Sequence, residues 1–466
     1  MQSESYRKIC DSFPYPVDFY SFFQEPSQVK HANEPMFFIS GFTAKLVRTT
    51  LENSGFKETD DLSNASIVVG NKNNEDTQNY LKNFQRMTHF LYTFSIGRKI
   101  GLHITLSRFK QQTNLPLNFY PKTFLLPDQI DQFKKEFSSS KYWIEKPTSG
   151  SCGRGIRVID EIPEKFIAPK VIMQEYIPNP LLINGYKFDL RFYVAVTSLN
   201  PLRLYNYDDG LVRLATDKYF EHFNEISNLS AHLTNFTVNK ENSQFKITDD
   251  IKNDGKGSKW SHKPFWPFLD SLLYDVDDIK NKIDDAIATI FISARDQLAQ
   301  QKNHRCSFEL YGVDVLLTVD GEIHILEVNI SPALGTSSAL DRHIKAPLVK
   351  DFFNISLIPT HTEIVDKFEE SFNDSKLNDV SEFISICEYE LAEERRGKFR
   401  RIYPTIERVK TFGQFLEKKT NLDKALEEWV MADKIQKEKI LASKIPKLQE
   451  YLGDLFEFPQ NSCLLI

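Results

Sequence analysis

The chain has 466 residues, 41% apolar and 26% charged, a globular balance that excludes a disordered protein and, at roughly 150 residues per domain, allows about three cores. Its 58 Lys and Arg against 64 Asp and Glu leave a net charge of −6, which argues against nucleic acid as a partner. No run approaches the ~20 apolar residues of a membrane span, the first residues lack a signal-peptide layout, and five scattered cysteines without a CxxC pair exclude a zinc ribbon or disulfide framework and fit a reducing, cytoplasmic setting.

Residues 1–33 are polar and broken by prolines, and read as an N-terminal extension. Residues 36–39 and 66–69 read as short buried strands. Between them, residues 43–54 carry helical spacing at Leu46, Thr50 and Leu51, which makes a strand–helix–strand unit. Residues 71–77 read as a loop. A second α/β stretch runs to about Asp160, with strands at 141–146 and 157–159. The densest strand pattern lies between Val171 and Asn329, interrupted by a polar Gly/Lys/Asp loop at 249–262. After Pro359 the chain turns charged and helical.

The glycine-rich stretch Thr148-Ser149-Gly150-Ser151-Cys152-Gly153-Arg154-Gly155 follows a strand that ends in Lys146-Pro147. Such a loop can bring backbone N–H groups close to phosphates, because glycine tolerates positive φ. It fits neither a Walker A loop nor a dinucleotide fingerprint, and a simple hairpin turn is the plain alternative. Residues 186–196 alternate strictly. Lys187, Asp189 and Arg191 share one face, while Phe188, Leu190 and Phe192 share the other. The charged face is either a solvated ladder or a cleft wall that handles anions. Arg213 follows the turn signal Asp208-Asp209-Gly210. It could clamp a carboxylate with two parallel bonds or lie on the surface.

The strongest chemical signal lies in residues 308–329. Two strand-like runs flank Asp320-Gly321, a favoured two-residue hairpin turn. With that turn, Asp314 falls opposite Glu327, and Gly312 opposite Asn329, where its missing side chain would leave open space. Asn329 shares the face of Glu327. Opposed carboxylates have Cβ atoms ~5 Å apart, and at an effective dielectric of ~20 they repel by about 3 kcal/mol. A folded protein keeps such a pair when a proton or cation relieves it. Two carboxylates and an amide oxygen suit Mg²⁺, a hard ion that also binds phosphates. The bland reading is two exposed acids on a solvated face. The apolar neighbours Val313, Val315, Leu326 and Val328 weigh against it.

Taken in order, several stretches resemble the tubulin tyrosine ligase-like family, and within it the polyglutamylase branch. They are Ser95-Ile96-Gly97-Arg98-Lys99, Phe119-Tyr120-Pro121, Trp143-Ile144-Glu145-Lys146-Pro147 and Gly185-Tyr186-Lys187-Phe188-Asp189-Leu190-Arg191. They continue with Asp209-Gly210-Leu211-Val212-Arg213, His232-Leu233-Thr234-Asn235, Phe308-Glu309-Leu310-Tyr311-Gly312-Val313-Asp314 and Leu326-Glu327-Val328-Asn329-Ile330-Ser331-Pro332. The resemblance covers roughly residues 37–355, with an echo at 396–404.

The resemblance implies an α/β (α+β) fold with an ATP-grasp-like ligase core. Its divisions would be an N-terminal α/β domain at 34–100, a central ATP-grasp domain with the glycine-rich loop at 101–180, a C-terminal ATP-grasp domain with the metal site at 181–358, and a charged helical extension at 359–466. Carried over by position, Lys146, Cys152, Gly153 and Arg154 contact the phosphates of ATP. Gln174, Glu175, Tyr176 and Ile177 form the hinge that receives adenine. Lys187 and Asp189 line the nucleotide site, and Thr234 and Asn235 approach the phosphates. Asp314, Glu327 and Asn329 hold Mg²⁺. Arg213 and Lys345 grip the carboxylates of the incoming amino acid. Arg191, Lys187 and Glu327 are the catalytic set, with Arg191 steadying an acyl intermediate.

The implied activity is an ATP-dependent ligation of free L-glutamate onto glutamate side chains of an acidic protein, tubulin C-terminal tails foremost. The implied enzyme is a monomer of the cytoskeleton or of a cilium or flagellum. A protein glycylase or other amino-acid ligase of the same family is the first alternative. A nucleotide-binding microtubule scaffold without ligase activity is the second. Neither an H-R-D loop nor a D-F-G segment is present, which argues against a protein kinase.

Two residues depart from the family pattern. Cys152 stands where the family usually has Arg, and Gly335 where it commonly has His. Both belong to the acceptor side of the cleft, so the resemblance implies intact ATP binding with an altered acceptor preference. Between Arg395 and Lys419 nine basic residues face two acidic ones, a patch that would attract acidic tails. Leu422, Leu426, Trp429 and Val430 have helical spacing and would dock on the body. The final Cys463-Leu464-Leu465-Ile466 fits a prenylation signal, so membrane contact through Cys463 follows only if that cysteine is modified.

Overall fold

The computed structural model describes residues 18–20, 34–41, 43–70, 80–138, 141–148, 153–219, 228–239, 242, 250–300, 304–359 and 362–453. The fold mixes helices and sheets in an α+β arrangement. The expectations for the loop at 71–77, for Cys152 and for Cys463 lie outside the described residues.

The first unit is a four-stranded parallel sheet, ordered β2-β1-β3-β4. Its elements are β1 (Met36–Ser40), α1 (Lys45–Asn53), β2 (Lys57–Glu58), β3 (Ile67–Gly70) and β4 (Arg86–Met87). Helix α1 buries Leu46, Val47, Thr50 and Leu51 on one side, as its spacing requires. Two helices follow, α2 (Phe94–Gly97) and α3 (Lys99–Thr113). Asn114, in the left-handed conformation at φ 56°, ends α3.

The second unit is a four-stranded antiparallel sheet, ordered β5-β8-β6-β7. It contains β5 (Thr123–Leu126), α4 (Ile130–Glu136), β6 (Trp143–Pro147), β7 (Arg157–Ile159) and β8 (Val171–Glu175). Its own small core holds Phe124, Phe133, Trp143 and Met173.

The central sheet has eight strands. Its spine is β10 (Tyr186–Leu199), preceded by β9 (Leu182–Ile183). Along one edge of β10 run β11 (Leu202–Tyr207) and β12 (Leu211–Lys218). Short helices α5 (Leu229–His232) and α6 (Phe236–Asn239) lead to β13 (Lys259–Ser261), α7 (His262–Ser271) and α8 (Val276–Leu298). The hairpin β14 (Glu309–Leu317) and β15 (Ile323–Asn329) lies along the other edge, and α9 (Ala339–Ile355) follows. Phe188, Leu190 and Phe192 pack with α7 and α8 on one face. The opposite face packs against α9 and the C-terminal helices. Those are α10 (Glu363–Ser371), α11 (Asn378–Glu394), α13 (Asn421–Met431) and α14 (Lys434–Leu452), whereas α12 (Ile406–Phe412) puts Phe412 into the core with α7 and α8.

Four sequence expectations need correction. The polar stretch at 249–262 is not wholly a loop: Lys259–Ser261 extends the central sheet beside β12, and α7 begins at His262. The stretch after Pro359 is not wholly helical, because β16 (Phe399–Tyr403) pairs with β11. The hairpin turn has three residues, Val319-Asp320-Gly321, closed by Thr318 N–H donating to the Glu322 carbonyl. Gly321, at φ 78°, takes the left-handed place that such loops favour. A bulge at Leu326 restores the register, so Asp314 still faces Glu327. Finally, six of the nine tail cations are in ion pairs, including Arg395–Asp18, Arg400–Asp284, Arg408–Asp285 and Lys419–Glu427. The local positive patch is therefore largely neutralised. Leu426, Trp429 and Val430 on α13 are buried, while Leu422 is half-buried.

Candidate active site

A cleft lies between the second unit and the central sheet. Strand β6 supplies Lys146, and β8 runs into Gln174, Glu175, Tyr176 and Ile177. Strand β10 supplies Lys187 and Asp189, and the hairpin supplies Asp314 and Glu327. Thr234 and Asn235, between α5 and α6, close one side with Gly153 and Arg154. The structure thus brings together every described nucleotide-site residue read from the sequence.

The two lysines are buried, and their surroundings set their charge. Gln174 Oε1 accepts from Lys146 Nζ at 2.6 Å, and Gln174 Nε2 donates to Thr123 Oγ1 at 2.9 Å. Burial pulls Lys146 down to about 8 despite Glu327 nearby. Lys187 Nζ donates to Tyr176 Oη at 3.0 Å and lies 4.4 Å from the centre of that ring. Burial pulls it down to about 7, against the opposite pull of Asp189. Both cations are thus held in apolar surroundings where an added anion would strongly favour their charged forms. The Glu175 and Tyr176 N–H groups already donate to the Lys122 and Tyr142 carbonyls, so these two hinge donors are engaged within the protein.

The hairpin carboxylates are treated unequally. Arg191 grips Asp314 with Nε and with Nη2, the latter at 3.0 Å, and Arg213 Nη2 adds a contact at 2.8 Å. Burial alone would push the Asp314 carboxyl up, but the two guanidinium groups hold it well below the usual range. Glu327 is pushed up by burial first and by Asp314 second. Asn329 Nδ2 donates to Glu327 Oε1 at 3.1 Å. The space beside Gly312 is not open: a Cβ there would lie 3.1 Å from both Arg191 Cδ and Pro332 Cβ. Glycine leaves room for the Arg191 side chain beside Asp314, its cross-strand partner.

Arg213 and Lys345 do not stand free. Arg213 forks onto Asp189, its direct cross-strand partner, at 2.6 and 2.7 Å. Asp189 also accepts from the Thr234 hydroxyl. Lys345, on α9, pairs with Asp341 at 2.8 Å and donates to the Gly335 carbonyl at 2.8 Å. A side chain at Gly335 would meet nothing within 4 Å.

Lys99 was missed as a site residue by the sequence reading. It lines the cavity, and its charge acts on Lys146. Its motif, Ser95 to Lys99, was visible, but nothing local showed that the start of α3 would point at β6.

The donor set suits a hard divalent ion: two carboxylates and an amide, with Glu327 short of a cation of its own. Among the described residues no group of three or more His, Cys, Asp or Glu is placed to hold a metal ion, so this site rests on two carboxylates and an amide alone, and no helix is long and apolar enough to cross a membrane.

A family model described as "Tubulin-tyrosine ligase family" matches residues 75–365, more than half of the chain. The chain belongs to the tubulin-tyrosine ligase family. The mouse (Mus musculus) tubulin monoglutamylase TTLL4 is 34% identical over 338 residues, which is 70% of this chain and 28% of the relative. The mouse tubulin polyglutamylase TTLL5 is 30% identical over 442 residues, covering 82% of this chain and 33% of the relative. The human (Homo sapiens) tubulin polyglutamylase TTLL7 is 32% identical over 329 residues, or 66% and 36%. The chain spans about a third of the length of these curated relatives.

Proposed function

We propose that this chain is an ATP-dependent protein-glutamate ligase, with an ATP-grasp-like core and free L-glutamate as the added amino acid. The acceptor is a glutamate side chain on an acidic protein, tubulin tails foremost, which would place the enzyme at the cytoskeleton. The core comprises residues 101–180 and 181–358, with 34–100 as the N-terminal domain. The extension at 359–466 shares the central sheet through β16. The observation that carries the reading is the convergence of Lys146, Lys187 and the Asp314–Glu327 pair in one cavity, in a chain similar to named tubulin glutamylases.

ATP would lie in that cavity, with adenine at the hinge and a donor from Ile177, and with its phosphates toward Lys146, Lys187 and the Gly153–Gly155 turn. An acceptor carboxylate oxygen attacks the γ-phosphorus, the bond to ADP breaks, and an acyl phosphate forms. The amine of free glutamate then attacks the acyl carbon. Phosphate leaves, the amine loses a proton, and an amide remains. Mg²⁺ held by Asp314, Glu327 and Asn329 would offset charge on the transferring phosphoryl group. Lys146 and Lys187 gain full charge against the phosphates, and positioning carries much of the remaining barrier reduction. Arg213 is pre-oriented by Asp189, so an incoming carboxylate would share a cation that is already fixed in place.

The test is incubation with MgATP, tubulin, and labelled glutamate or labelled glycine in parallel. The expected result is incorporation of glutamate alone. Incorporation of glycine would replace this reading with the glycine-adding alternative. Incorporation of neither, with ATP still bound, would favour the scaffold.

A further inference from the structure

A second chamber opens beside the nucleotide cavity. The two share Lys99, Lys146, Gln174, Leu326 and Glu327, so a group entering the second meets the phosphate end of the first. Asn329 faces this chamber, not the nucleotide cavity. Its lining includes the apolar residues Ile96, Leu102 and Ile172, which suit the methylenes of a glutamate. At its rim stands Arg98, exposed, with its guanidinium 4.1 Å from the centre of the Phe94 ring. Phe94 is itself 44% exposed, so its ring lies open beneath the guanidinium.

We infer that this chamber admits the acidic acceptor polypeptide, and that Arg98, braced on Phe94, recognises its carboxylates. The inference rests on the ligase reading for the identity of the acceptor. Three basic side chains near the chemistry are already committed to carboxylates: Arg191 to Asp314, Arg213 to Asp189, and Lys345 to Asp341. Among the described residues no carboxylate pairs with Arg98. A ring under the guanidinium fixes its direction without neutralising it, and its planar fork suits bidentate contact with a carboxylate. An acceptor rich in glutamate would present several carboxylates to that fork while one of them reaches past Glu327.

The experiment uses the full chain and a fluorescent ten-residue peptide of alternating glutamate and glycine. Peptide affinity is read by anisotropy, and the KM for peptide, ATP and free glutamate by incorporation. Arg98→Glu is expected to weaken peptide binding and raise the peptide KM by at least about tenfold, the cost of one charged contact. The KM for ATP and for glutamate should stay put. Arg98→Lys should restore part of the loss, and Phe94→Leu should fall between, with melting temperatures unchanged. Unchanged peptide affinity in Arg98→Glu would overturn the inference. So would no measurable binding to the unmodified protein, or an effect on the KM for ATP or free glutamate instead. Because anisotropy needs no turnover, a protein that binds peptide through Arg98 but incorporates nothing would sink the ligase reading and leave this one standing.

Discussion

Asp314 and Glu327 face each other across the hairpin, and their surroundings push the two carboxyls in opposite directions. Asp314 is held ionised by Arg191 and Arg213, while Glu327 is raised by burial and by Asp314 itself. Replacing them should therefore have opposite consequences. A raised folded-state pKa means that stability is lost as pH climbs through the Glu327 window, so Glu327→Gln should melt higher than wild type at neutral pH without metal. Mg²⁺ should raise the wild-type melting temperature and leave the variant unmoved. Asp314→Asn leaves the buried Arg191 guanidinium without its carboxylate and Arg213 with Asp189 alone, and should cost about 3–5 kcal/mol in urea denaturation. Both variants should lose ligation by on the order of a hundredfold or more.

Lys187, near 7, is largely neutral above that pH in the nucleotide-free protein. Polyphosphate beside it favours the ammonium form, and Lys146, near 8, responds in the same sense. Nucleotide binding at pH 8 should take up protons. Titration calorimetry in two buffers of different ionisation enthalpy reads that uptake directly. Lys187→Met should reduce it and weaken ATP binding above all at pH below 7, where the wild-type lysine is charged.

Gly210 sits where β11 passes into β12. A Cβ there would lie 2.2 Å from the Arg191 carbonyl oxygen and 2.4 Å from His262 Cε1. Gly210→Ala should cost about 1–3 kcal/mol through this overlap. The backbone shift falls on the residue that holds Asp314, so activity should drop along with stability. Thermal melting and incorporation measured on one preparation check both.

Far from the cavity, Glu388 on α11 joins Arg203 at 3.0 Å and Arg305 at 2.9 Å, and Arg305 and Arg86 reach Glu369 on α10. Burial would raise the Glu388 carboxyl, but Arg305 and Arg203 hold it down at about 2. Its contribution is present above the ordinary glutamate range and is lost as pH falls through the window down to about 2. Glu388→Ala should destabilise the fold by about 3–5 kcal/mol without altering the KM for ATP.

Much of the site was legible because strand alternation is local. Lys187, Asp189 and Arg191 share a face for the same reason that Phe188, Leu190 and Phe192 share the other. The Asp314–Glu327 register was also legible, although the three-residue turn and the Leu326 bulge were two misreadings that cancelled. What stayed hidden depends on distant partners. Nothing near Arg213 in sequence shows that Asp189 stands opposite it. Nothing in the basic run after Arg395 shows that Asp284 and Asp285 on α8 neutralise part of it, or that 399–403 completes a sheet edge.

In the proposed mechanism ATP activates an acceptor carboxylate in the cavity built around Asp314 and Glu327. The most direct test is to label the acceptor side-chain carboxylates with heavy oxygen and analyse the released phosphate by mass spectrometry. An acyl phosphate requires one labelled oxygen to pass into phosphate for each glutamate added, and the transfer should vanish in Asp314→Ala/Glu327→Ala. Glutamate addition with unlabelled phosphate would contradict the account.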